Sequence, residues 1–208
     1  MIHFRELERV MHYCRSIWAS APLIATVCLC GLLSGQQNGR FADLKAQAFD
    51  AFEKGKYAEV AGKLEEVWEE DQSDPKVAEY LAIGYLYGER NLTKAQPLME
   101  KAIILRGQAT FLVIHSHERR EFLQGNVITD FCPGKMSISP GKLAFVADSG
   151  DHSIAILPAD LKVFSVPNGA PGRIHIKAAG KNYTFRVKTQ TRSEAQLLEH
   201  IAEQNLKQ

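Results

Sequence analysis

Apolar positions change their spacing twice along this 208-residue chain, and each change marks a different kind of element. Ile17 to Leu33 (IWASAPLIATVCLCGLL) contains no charged side chain, and Arg5, Arg9 and Arg15 precede it. A basic flank ahead of an uncharged apolar run predicts a secretory signal peptide or an N-terminal membrane anchor over residues 1–35. The run is longer than a typical signal core and slightly short for a comfortable spanning helix, so both readings stand. Met11 offers a second start beside Met1, and Pro22 is tolerated in either role. After a polar linker at residues 36–40, helical spacing sets in: Leu44, Ala48, Ala51 and Phe52, then Val60, Leu64, Val67 and Trp68. Gly55-Lys56-Tyr57 interrupts the pattern as a turn and predicts a helical hairpin. Pro75, behind the polar stretch Asp71–Asp74, predicts the start of the next helix. Tyr80, Gly84 and Tyr87 line that helix, Gly88–Asn91 turn the chain, and Ala95, Met99 and Ala102 line the following one.

From Ala109 onward the period falls to two. The alternation predicts strands at Thr110–His117, Gly125–Asp130, Lys135–Ser139, Lys142–Asp148, Ser153–Leu157, Leu161–Val166, Arg173–Ala178 and Tyr183–Lys188. Turn formers separate them, among them Pro133-Gly134, Pro140-Gly141, Ser149-Gly150-Asp151 and Gly180-Lys181-Asn182. Short strands at this interval predict a small barrel or sandwich. Ser193-Glu194-Ala195-Gln196 reads as a capping box opening a final amphipathic helix, with Ala195, Leu198, Ile201 and Ala202 as its buried stripe. The fold class expected is therefore α+β.

The helical stretch is self-similar. Leu44 and Ala48 recur as Tyr80 and Gly84 at 36 residues, and Val60, Leu64 and Val67 recur as Ala95, Met99 and Ala102 at 35. A two-helix period in the mid-thirties, with the Gly55-x-Tyr57 turn and the Asp74-Pro75 step, resembles the tetratricopeptide (TPR) repeat over residues 41–107. Two generic helical hairpins are the alternative. Val60 stands where that family usually has alanine. The resemblance implies a protein or peptide partner on the concave surface, and it nominates Leu44, Ala48, Tyr80, Gly84 and Tyr87 as partner-binding residues. Residues 108–208, seven or so strands closed by one helix, resemble the pleckstrin-homology (PH) superfold and its GRAM-like relatives. The phrases that carry the likeness are Lys142-Leu-Ala-Phe145, Ile154-Ala-Ile156 and Ile174-His-Ile176 with Tyr183-Thr-Phe185. Another small barrel with an added helix is the runner-up. That family often binds lipid headgroups through basic residues near its first hairpin. Here Arg119 and Arg120 sit beside Glu118 and Glu121, so lipid binding is not supported.

Charge adds an asymmetry to this picture. The net charge is +1, with four Lys/Arg against two Asp/Glu in residues 1–40, nine against thirteen in 41–107, and twelve against nine in 108–208. No segment concentrates the basic stripe that nucleic acid calls for. Alternation places Arg173, His175 and Lys177 on one strand face, with Arg186 and Lys188 on the same face of its neighbour. A solvated outer face is the plain reading, and an anion-facing patch of Arg173, Lys177, Arg186 and Lys188 the sharper one. Of the four cysteines, Cys14, Cys28 and Cys30 lie in or before the apolar run. Cleavage of the leader would leave Cys132 alone, without an intramolecular disulfide.

Chemistry is sparse. His115-Ser-His117 places two imidazoles on one side of a strand, and a zinc site would need further ligands such as Asp130, Cys132 or His152. Strand-end polarity explains the pair equally well, and no metal or cofactor is expected. Asp148-Ser-Gly-Asp151-His152 sits where a hairpin turn is expected. No P-loop, dinucleotide fingerprint, G-x-S-x-G or H-E-x-x-H occurs. The expectation is an exported or membrane-anchored, non-enzymatic adaptor. The alternatives are a small metal-binding hydrolase using His115, His117, Asp151 and His152, and a peripheral module for anionic lipid.

Overall fold

The computed structural model of the chain describes residues 39–120 and 127–206, with side chains at 39–117 and 130–206. The expected leader over residues 1–35, with Cys14, Cys28 and Cys30, lies outside the described residues, as do the side chains of Arg119 and Arg120. Among the described residues no helix is long and apolar enough to cross a membrane. Lys45–Gln208 form one compact unit, and the expected division at residue 107 falls within it, where helix passes to strand.

Four helices come first: α1 (39–53), α2 (Tyr57–Glu70), α3 (Pro75–Ile83) and α4 (Leu92–Ile104), with a π turn at Gly84–Glu89 behind α3. Their starts follow from local chemistry. The Asp74 carboxylate accepts from the Lys76 and Val77 amides, and Pro75 occupies the first helical position. Asn91 caps α4 by accepting from the Lys94 amide. The helices bury Val60, Leu64, Leu81, Ile83, Leu86 and Met99 against one another. Gly84 makes the closest approach. A Cβ there would lie 2.7 Å from the Ala61 amide nitrogen, so only glycine lets α2 and the π turn meet.

Seven strands follow: β1 (Ala109–Arg120), β2 (Val127–Ser139), β3 (Lys142–Ala147), β4 (Ser153–Ile156), β5 (Leu161–Ser165), β6 (Arg173–Ala178) and β7 (Lys181–Val187). They form one antiparallel sheet in the order β4-β3-β2-β1-β7-β6-β5. Eight strands were expected. The difference lies at Pro133-Gly134, where β2 runs through without a turn, pairing both residues with β1. Gly134 serves close packing instead: a Cβ on it would lie 2.3 Å from the Val146 carbonyl oxygen of β3. At the far edge, the β5–β6 register shifts between Leu161 and Val163.

The final helix, α5 (Arg192–Leu206), lies on the apolar face of the sheet. Ala195, Leu198, Ile201 and Ala202 are buried there as expected, over a core of Phe111, Met136, Phe145, Ile174 and Phe185. Its capping box stands two residues earlier than the sequence suggests. Thr191 is the cap, its hydroxyl accepting from the Glu194 amide at 3.3 Å, because the helix already begins at Arg192.

Polar groups tie helices to sheet. The Tyr87 hydroxyl donates to Glu194 Oε1 at 2.6 Å and accepts from the Leu112 amide at 2.8 Å. Glu79 on α3 accepts from the Thr110 hydroxyl at 2.5 Å and from Gln108 Nε2 at 2.9 Å. Burial pushes both the Glu79 and the Glu194 carboxyls above their usual range, against the pull of these donors.

Candidate metal centre

Strand alternation puts His115 and His117 on one face of β1, and register sets their neighbours. Cys132 of β2 lies directly opposite His115, and Asp130 directly opposite His117. Directly opposed residues point to the same side of the sheet, so two imidazoles, a thiol and a carboxylate share one face. The third histidine arrives through a turn. The Ala147 amide donates to the His152 carbonyl at 2.9 Å, closing the β3–β4 hairpin. The Asp148 amide donates to the Pro133 carbonyl at 2.9 Å, which pins that hairpin to β2 and brings His152 over His115.

The three rings form a compact cluster. His115 and His152 stack with centroids 5.1 Å apart and planes 6° from parallel, and His117 lies edge-on at 4.3 Å from His115. One nitrogen from each ring falls within 4.8 Å of the others. Phe145 and Phe185 close the inner side, and His115 is only 5% exposed. His115 Nδ1 and His152 Nε2 are buried and have no hydrogen-bond partner. Leaving a buried polar nitrogen unpaired costs about 1–3 kcal/mol. Burial, with His117 and His152 alongside, drives the His115 pKa down to about 4, so the ring is neutral at physiological pH.

On the outer side His117, His152, Asp130, Cys132 and Asp151 line an open cleft of about 680 Å³, and no Lys or Arg is among the described residues lining it. Burial and the negative charges of Asp151 and Asp148 push the Cys132 thiol up. Imidazole, thiol and carboxylate donors, with no Lys or Arg among the described lining residues, make a site suited to a cation.

The geometry suits a zinc-class ion. Metal–nitrogen bonds of about 2.0–2.1 Å place two nitrogens of a tetrahedral site roughly 3.4 Å apart. The ligand atoms lie within 4.8 Å of one another, so binding would draw the half-buried His117 and His152 rings closer together. The sequence pair His115/His117 is thus joined by His152, and Cys132 and Asp130 stand alongside.

The other nominated residues are placed differently. Ala48 is fully buried, Gly84 is packed on Ala61, and the Tyr87 hydroxyl is consumed by Glu194 and Leu112. Ala48 and Gly84 are buried in internal packing, whereas Tyr87 keeps part of its surface exposed. Tyr80 is half-buried with its ring tilted against Phe49 and Phe52, and Leu44 is half-buried. Arg173, Lys177 and Arg186 share one face of the sheet, opposite the buried Ile174 and Ile176. Arg173 and Arg186 are direct cross-strand partners, whereas Lys177 pairs with Asn182. Lys188 extends over the Tyr57 ring at 4.7 Å. The network missed by sequence reasoning is Tyr87–Glu194–Thr189, in which Glu194 bonds a tyrosine 107 positions away as well as the nearby Thr189.

No protein-family model matches the chain, and no curated protein matches it. Among solved structures, it is similar to the crystal structure of the C-terminal domain of an unknown protein from Leishmania infantum. That match is 12% identical, covers 44% of this chain and 80% of the other, and has a TM-score of 0.31. A likeness of that size transfers neither fold nor function.

Proposed function

We propose that this chain is a metal-binding protein whose β module holds one zinc-class divalent ion on His115, His117 and His152. The observation that carries the reading is the pair of buried, unpartnered nitrogens on His115 and His152, within a trio whose ligand atoms converge to 4.8 Å. Apolar cores do not retain unpaired imidazole nitrogens without compensation, and a cation would satisfy both at once. The test is metal analysis of the full-length protein with titration calorimetry against Zn²⁺. One ion per chain is expected, with binding lost in His117→Ala/His152→Ala. Saturation at about 100 times Kd should add about 2.7 kcal/mol of stability, reversed by chelator. Absence of both stoichiometric metal and a stability gain would sink the reading.

A second reading is the non-enzymatic adaptor, exported or anchored through residues 1–35, with TPR-like hairpins and a PH-like module. It is supported by the run of helices ahead of the sheet, by the β4-β3-β2-β1-β7-β6-β5 order ahead of a closing helix, and by apolar side chains left in solvent. Phe131 is 61% exposed and Ile104 74%. Tyr80 and Leu44 remain its candidate partner contacts. Cross-linked recovery of a protein partner should fall with Tyr80→Ala and stay unchanged with His117→Ala; recovery indifferent to Tyr80 argues against it. Fractionation with and without residues 1–35 tests export. The anion-facing reading rests on Arg173, Lys177 and Arg186 sharing a sheet face, and salt-sensitive anion binding lost in Arg186→Gln is its test.

A further inference from the structure

We infer that Cys132 supplies the fourth ligand, closing the centre as a His₃Cys site with a structural rather than hydrolytic role; this rests on the three-histidine reading above. Cys132 is the direct cross-strand partner of His115. Opposed residues of an antiparallel pair hold their Cβ atoms about 4.5–5.5 Å apart on the same face. The thiol borders the same cleft as His117 and His152. Its sulfur stands outside the converging trio, so coordination requires the Cys132 side chain to turn toward the ion. Of the side chains around the cleft it is the softest donor, and zinc prefers thiolate and imidazole over carboxylate in closed sites.

Binding is balanced simply: the thiol releases one proton to solvent, the sulfur lone pair forms the metal bond, and no redox change occurs. Asp130, Asp148 and Asp151 then stand around the ligands as neighbouring negative charges. Four protein ligands leave no position for a bound water, which sets this site apart from catalytic zinc centres that keep one open. The ion would bridge β1, β2 and the β3–β4 turn, three segments otherwise held here by backbone hydrogen bonds. The histidine cluster then has a role that requires no substrate.

The experiment is cobalt substitution of the full-length protein, wild type beside Cys132→Ser, with circular dichroism to confirm folding. Wild type should show tetrahedral d–d bands together with a thiolate-to-cobalt charge-transfer band, and Cys132→Ser should keep metal but lose the charge-transfer band. X-ray absorption on the wild-type zinc protein provides a measurement that needs no variant, with one sulfur expected at about 2.3 Å. Cobalt or zinc bound with no sulfur in its shell would overturn the Cys132 assignment and leave the three-histidine site standing. No bound metal at all would overturn both.

Discussion

Replacing Tyr87 with phenylalanine removes one oxygen and tests how helices and sheet are held together. The hydroxyl makes two hydrogen bonds, one donated to Glu194 Oε1 at 2.6 Å and one accepted from the Leu112 amide at 2.8 Å. Leu112 is 8% exposed and Glu194 fully buried, so water does not readily replace either partner. An orphaned buried amide costs about 1–3 kcal/mol, and a lost bond to a charged group about 1.5–3 kcal/mol. The ring stays in place, and the hydroxyl no longer has to be dehydrated, so the net loss should be about 2–4 kcal/mol. Urea denaturation followed by circular dichroism measures it as a lower midpoint with unchanged m. Tyr57→Phe is the control, since the Tyr57 hydroxyl has no hydrogen-bond partner among the described residues while its ring touches Tyr87; a change within about 0.5 kcal/mol is expected.

The pH dependence of that loss has a defined sign. Burial raises the Glu194 carboxyl above 4.5, so between that value and its folded pKa the folded state binds more protons than the unfolded state. Its contribution therefore falls as pH rises through this window. Tyr87→Phe removes a donor that favours the carboxylate, which lifts the folded pKa further. The variant's deficit should grow from acid toward neutral pH. A deficit below about 0.5 kcal/mol at neutral pH, or one independent of pH, would refute the keystone role.

Gly84→Ala forces a methyl to 2.7 Å from the Ala61 amide nitrogen, and overpacking of this kind should cost about 1–3 kcal/mol by the same denaturation assay. Asp74→Ala strips the cap from α3 along with a 2.8 Å contact to Lys45, and a loss of about 1 kcal/mol is expected. His115→Leu removes a buried unpaired nitrogen, so the metal-free protein should gain about 1–2 kcal/mol while losing its response to Zn²⁺. The same variant should flatten an acid slope. With His115 at about 4 in the folded state and 6.5 unfolded, metal-free wild type loses stability as pH falls from about 6.5 toward 4, measured as urea midpoint against pH in chelator.

Helical spacing and period-two alternation placed nearly every element, because burial of one face is a property of neighbouring residues. Arg173–Ala178 coincides with β6 residue for residue. The failures share a cause of a different kind. Pro133-Gly134 looked like a turn, yet the glycine is there because β3 passes too close for a side chain, a fact of the third dimension. The Tyr87–Glu194 hydrogen bond spans 107 positions, and no local pattern signals it. The candidate site divides the same way. His115 and His117 share a face by alternation alone, whereas His152 joins them only after the β3–β4 turn is pinned to Pro133.

The dislocated pairing between Leu161 and Val163 has a bearing on how this protein behaves at high concentration. A sheet bounded by β4 and β5 offers two unpaired rims, and a straight rim invites a stranger's backbone to add on. The irregularity twists β5 out of line with any flat newcomer, and β4 is only four residues long. Both rims are thereby poor templates, and an open-sided sheet can remain in solution without growing into fibres.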